Sequence, residues 1–99
     1  MNTLDAIIEA IENRQLVEFY YDGYHRVVEP HTVGVSKTGK DTLSAYQIEG
    51  DSNRGSVPCW GQFSLSKIEN FLVLDEIFSG TRPGYTRDDS RMNEIFAEL

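Results

Sequence analysis

The sequence predicts a mainly β domain with flanking helices: a small barrel of five strands, an N-terminal helix and a C-terminal helical tail. Three observations carry this. Between residues 15 and 75, short β-type runs alternate with polar, Gly-containing turns. Ahead of them, Leu4, Ile7, Ile8 and Ile11 recur at i, i+3, i+4 and i+7. Behind them, Met92, Ile95, Phe96 and Leu99 repeat that spacing. A chain of 99 residues holds one compact domain. It divides into a helix over 1–14, the barrel over 15–78, and a loop with a final helix over 79–99.

Each element has a local reason. Asn2 or Thr3 can cap the first helix, with Asp5 and Glu9 favourable near its positive end. Leu16 to Tyr21 alternates Val17, Phe19 and Tyr21 with Leu16, Glu18 and Tyr20, the period of a strand. Asp22-Gly23 reads as a hairpin turn. The next strand resumes at His25 and runs toward Val28, and Pro30 marks an edge or a bend. Turns over residues 37–40 and 50–55 bracket a third strand from Leu43 to Ile48. A fourth strand covers Val57 to Leu65, residues 66–68 form a single helical turn, and Phe71 to Leu74 is the fifth strand. Residues 79–85 form a loop by their Gly and Pro. Asp88 or Asp89 caps the expected final helix, which packs back on the barrel or joins a second copy.

Composition narrows the function. Apolar residues at 39% are too many for a disordered chain. No apolar run approaches the length of a membrane span, and no basic-then-apolar leader opens the chain. Cys59 is the only cysteine, so no internal disulfide forms and a cytoplasmic setting is expected. Nine cations against sixteen carboxylates, a net charge of −7, argue against a general nucleic-acid binder. They leave room for a local basic pocket.

Catalytic patterns are missing. There is no phosphate-cradling Gly-rich loop and no HExxH or paired-cysteine spacing. Cys59, between Pro58 and Trp60, reads as a buried structural thiol. No enzyme activity, metal or cofactor is therefore expected. Binding groups are present instead. Arg26 offers a planar fork of donors for phosphate or carboxylate, or an ion pair with Glu18 or Glu29. His31 follows Glu29-Pro30 and faces a ligand or holds the bend. Tyr46 can stack on a base and Gln47 can read its edge. Trp60 serves the core or the same ligand.

The segment RVVEPHTVG from Arg26, the run TLSAYQ from Thr42, QFSLSKI from Gln62 and LVLDEIF from Leu72, with the β-run ending Tyr20-Tyr21, resemble the WYL-domain family in order and spacing over roughly residues 15–78. The family's naming tripeptide would fall at Asp41-Thr42-Leu43, where only the leucine is kept. Its later arginine would fall near Gly61, while Lys67 keeps a cation before Ile68. The resemblance implies an Sm-like barrel. It also implies a ligand-sensing or regulatory module for a nucleotide or short single-stranded nucleic-acid fragment, linked to bacterial or phage defence regulation. Arg26, His31, Tyr46, Gln47 and Trp60 are the expected ligand contacts. The alternative is a protein-interaction or assembly module acting through its two helical stripes, which also make a homodimer the expected assembly.

Overall fold

A computed structural model describes residues 2–52 and 56–99. The turn expected over 50–55 lies partly outside the described residues. One helix and six strands follow in the order α1 (Thr3–Asn13), β1 (Gln15–Tyr21), β2 (Tyr24–Ser36), β3 (Asp41–Gly50), β4 (Cys59–Ser64), β5 (Glu69–Ile77) and β6 (Met92–Glu98), with a short 3-10 turn at Leu65–Lys67. No helix is long and apolar enough to cross a membrane among the described residues.

The helix forms where its stripe places it. The Asn2 side chain accepts the Asp5 N–H at 2.8 Å, and the helix ends at Arg14 in the left-handed conformation. Ile7, Ala10 and Ile11 are buried against Val17, Phe19, Val28, Val33, Leu43, Ala45 and Phe63. These strand residues share one face of the sheet. Phe19 meets Phe63 edge-on at 5.1 Å, a preferred aromatic geometry. Asp22 and Gly23 both take positive φ, 53° and 80°, and close the β1–β2 hairpin as a two-residue turn.

All ladders are antiparallel, and the sheet path is β4-β3-β2-β1-β5. No ladder joins β4 to β5 among the described residues, so the sheet is not closed. The five strands expected are six, and β2 explains why. It is 13 residues long and shares one edge between two partners. Its first half pairs β1 as far as Val28, and its second half pairs β6 from Thr32. Pro30, which cannot donate to a ladder, falls in the gap between them. On the opposite edge β3 runs alongside with a bulge between Pro30 and Thr32, where His31 is the extra residue.

The expected C-terminal helix is instead β6. The apolar residues of the tail fit helical spacing, but Ile95, Ala97 and Leu99 also alternate, and strand pairing decides between the two. A helix of about ten residues is marginal in water. The second half of β2 presents unpaired backbone groups that β6 satisfies. One of the two helical stripes behind the expected homodimer is therefore a strand, and the other is buried in its own domain.

Gly34 marks how tightly β6 lies on β2. A Cβ placed there would come within 2.0 Å of the Glu94 carbonyl oxygen and 2.9 Å of the Ile95 Cα. Gly34→Ala should therefore destabilise the protein by about 1–3 kcal/mol, as overpacking does, measured by urea unfolding. A change below about 0.5 kcal/mol, typical of a free surface position, would mean that β6 does not lie there.

Candidate functional site

Residues adjacent in a strand point to opposite faces, and this divides the expected site. Gln47 lies on the core face, with Arg26 beside it. Tyr46 lies on the other face in one cross-strand row with Glu29 and Trp60. The structure brings Arg26 to Gln47, and His31 and Tyr46 to Trp60. It does not bring all five together.

On the core face both side chains are buried, and both are engaged. The Arg26 guanidinium lies 5.4 Å from the Tyr21 ring, 5.7 Å from Tyr24 and 5.5 Å from Phe63, within cation–π range. Its Nη2 donates to the Tyr21 carbonyl at 3.1 Å and its Nη1 to Gln47 Oε1 at 3.5 Å. The two acids considered as its partners are taken elsewhere, Glu18 by His25 and Glu29 by Arg82. Gln47 donates to the Glu49 and Asp51 carbonyls at 3.1 and 2.8 Å, so its amide holds the end of β3. A cavity of about 260 Å³ opens beside them, bordered by Cys59 and Phe63. Cys59 is half-buried, with Sγ 3.8 Å from Ser52 Oγ.

The other face is covered by a strap, residues 79–91, that crosses from β5 to β6. Arg82 reaches Glu29 with both ends of its fork, Nε to Oε1 at 2.7 Å and Nη2 to Oε2 at 2.8 Å. Glu29 is 3% exposed. Burying a carboxylate is tolerable only with such pairing. The Arg82 guanidinium also lies 5.1 Å from the Tyr46 ring centre. Trp60 Nε1 donates to the Pro83 carbonyl at 2.8 Å, and Tyr46 packs edge-on against Trp60. Hydrogen bonding to Glu29, and then its charge, hold the Arg82 pKa above its ordinary range.

His31 sits in the middle of this face and is fully buried. Its ring meets Trp60 at 4.8 Å, Tyr85 at 5.2 Å and Phe78 at 5.8 Å. Nε2 accepts the Arg82 backbone N–H at 3.2 Å, so Nδ1 carries the proton and donates to the Glu29 carbonyl at 2.8 Å. The bulge aims the ring, and two backbone groups hold one neutral tautomer.

Beside the strap's crossing lies a second cavity, of about 300 Å³. Its floor includes Thr32, Ser44 and Gln62, direct cross-strand neighbours in the row after Glu29, Tyr46 and Trp60. Trp60 and Tyr85 add aromatic surface, and Asp89 and Arg91 stand at the strap side. Arg91 hydrogen bonds hold the Asp89 carboxyl below its ordinary range, and burial first of all raises the Tyr85 hydroxyl, so the phenol stays neutral near pH 7. Sequence reasoning missed Arg82, Tyr85, Gln62 and the hydroxyl row. The row had a signal, since Thr42 and Ser44 alternate with Leu43 and Ala45. The strap had none beyond its loop composition. Among the described residues no three His, Cys, Asp or Glu side chains gather to hold a metal ion.

No family model matches the chain, no curated protein matches its sequence, and no solved structure matches its fold.

Burial lowers the His31 pKa from 6.5, the hydrogen bond and charge of Glu29 oppose that shift, and the Arg82 charge adds to it. The unfolded chain therefore takes the proton first. Stability is complete above about pH 6.5 and falls as the pH drops through that value toward the lowered one. The loss is at most about 1.4 kcal/mol per pH unit for one group. The groups facing the ring are Glu29, Arg82 and Tyr85. Urea unfolding between pH 8 and 5 should show this loss, and His31→Gln should flatten it. An unchanged slope in the variant would place the titration elsewhere.

Proposed function

We propose that the chain is a non-catalytic, WYL-like regulatory binding module for a nucleotide or a short single-stranded nucleic-acid fragment. The observation that carries this reading is the cavity beneath the strap. It combines the aromatic surface of Trp60 and Tyr85, the amide of Gln62, the hydroxyls of Thr32 and Ser44, and the guanidinium of Arg91, which is paired with Asp89 on the same wall. A base stacks on aromatic surface, an amide reads its edge, hydroxyls meet a ribose, and a guanidinium meets phosphate. At about 300 Å³ the space is at the small end of ligand pockets. It suits one nucleotide and not a duplex. The net charge of −7 opposes long nucleic acid by repelling its phosphates.

In this reading the sheet is an open form of the Sm-like barrel, with β2 as its bent central strand. The setting is the cytoplasm, and the role is regulation within a bacterial or phage defence system. Arg26 and Gln47 act indirectly, by holding the Tyr21–Phe63 end of the sheet. The protein-interaction reading keeps one surface. Leu72 and Ile77 on β5, at the end of the sheet path, are 54% and 71% exposed.

A thermal-shift panel of mono-, di- and cyclic nucleotides and short oligonucleotides tests the nucleotide reading. A ligand at 100 times its Kd stabilises the folded state by about 2.7 kcal/mol. Gln62→Ala and Arg91→Ala should each reduce that shift without lowering the ligand-free melting temperature. A panel in which nothing stabilises the protein removes the reading and favours a protein partner at β5.

A further inference from the structure

The geometry points to a peptide-recognition site on the strap-covered face, built by Glu29, His31, Tyr46 and Trp60. It takes an arginine-containing segment of another polypeptide and is filled here by the chain's own Arg82-Pro83. It shares Trp60 with the nucleotide reading, whose own test rests on Gln62 and Arg91.

The receptor half belongs wholly to the sheet. Glu29, Tyr46 and Trp60 are consecutive cross-strand neighbours on β2, β3 and β4, and His31 is the bulge residue beside them. Their spacing is set by ladder hydrogen bonds and not by the strap. The ligand half belongs wholly to the strap, whose residues 81–84 are exposed.

Four contacts join Arg82-Pro83 to the socket, and each reads a different feature of an arginine segment. The Glu29 carboxylate takes the guanidinium with two parallel bonds of 2.7 and 2.8 Å. That geometry selects the planar fork of arginine over the point charge of lysine. Tyr46 offers its ring to the same guanidinium at 5.1 Å. His31 Nε2 accepts the arginine backbone N–H at 3.2 Å. Trp60 Nε1 donates to the carbonyl of the following residue at 2.8 Å. Side chain and backbone are both read, as in peptide recognition.

The occupant is held loosely relative to its socket. Glu29 is 3% exposed, while the Arg82 side chain is 45% exposed. A carboxylate so buried needs a cation, but nothing in the socket requires the cation to come from the same chain. The charge of −7 draws basic segments toward the surface. A tethered ligand acts at an effective concentration on the order of millimolar. Arg82 therefore competes with any external arginine and sets the threshold a partner must exceed.

Arg82→Ala should open the site. The readout is the fluorescence of Trp60, the only tryptophan, with Nα-acetyl-arginine amide and a peptide of residues 81–85 as probes. Both should give a saturable change in the variant and bind at least tenfold more weakly to the unaltered protein. The lysine analogue should be at least tenfold weaker, and adding Glu29→Gln should abolish the response. No saturable change in a folded Arg82→Ala protein overturns the proposal and leaves the strap a structural latch. A response that survives Glu29→Gln, or that lysine matches, overturns it equally. If Arg82→Ala does not fold, Arg82→Lys keeps a cation over Glu29. The arginine probes should displace that lysine with the same signal, and their failure to do so overturns the proposal. Gln62→Ala and Arg91→Ala, which leave Glu29 and Arg82 in place, test the nucleotide reading separately.

Discussion

The bend of β2 at Glu29-Pro30-His31 is the constraint on which the rest depends. A straight 13-residue strand would keep one neighbour along each edge. Here β1 leaves after Val28 and β6 arrives at Thr32. The three residues between them combine a carboxylate, a residue without an N–H and a bulged imidazole. Each would be costly inside a regular central strand. Together they break the ladder, turn the strand, and leave a buried acid and a buried ring that need partners from elsewhere. The strap is the answer to both needs, through the Arg82 fork and the Arg82 backbone N–H.

The two faces of the sheet therefore have different characters. The core face is closed by α1 over apolar side chains from Val17 to Phe63, with the buried Arg26 and Gln47 at one end. Fully burying a side chain such as Phe19 stabilises the fold by roughly 1.5–3 kcal/mol. The other face carries a row of Glu29, Tyr46 and Trp60 and a row of Thr32, Ser44 and Gln62. Only its end near Leu16, Val27 and Phe78 is apolar. Polar rows under a strap bury less hydrocarbon and leave the cavity of about 300 Å³ between the layers. Stability and recognition are assigned to opposite sides of one sheet.

Local chemistry made α1, the five expected strands and the turns at 22–23 and 37–40 legible in the sequence. The Asn2 cap and the Asp22-Gly23 turn stand as expected, but the strand expected to run toward Val28 continues through Pro30 to Ser36. The tail was not legible, because residues 92–99 satisfy both periods and the deciding fact, an open edge on β2, is tertiary. The site was legible in part. His31, Tyr46 and Trp60 gather, whereas Tyr46 and Gln47 could never share a face as consecutive strand residues. Period two alone contains that conclusion. The Glu29–Arg82 pair was not legible at all. Its members lie 53 residues apart, and neither composition nor spacing links them.

That separation also orders the interactions by strength. The β1–β2 and β2–β3 hairpins join near neighbours in sequence and form the frame. The strap and β6 close loops of more than 50 residues, which carries a larger entropic cost than closing a hairpin. What the strap gains in return is largely polar: a buried ion pair with a half-exposed cation, a hydrogen bond into the His31 ring and one from the Trp60 indole, beside the Tyr85 ring packed on His31. Such contacts are sensitive to protonation, competing cations and a single side chain, while the apolar core is not. A segment closed at high entropic cost and held by polar contacts is the first part of this fold to open. Its opening uncovers Glu29, His31, Tyr46 and Trp60 together, because all four are held in register by strands that stay paired.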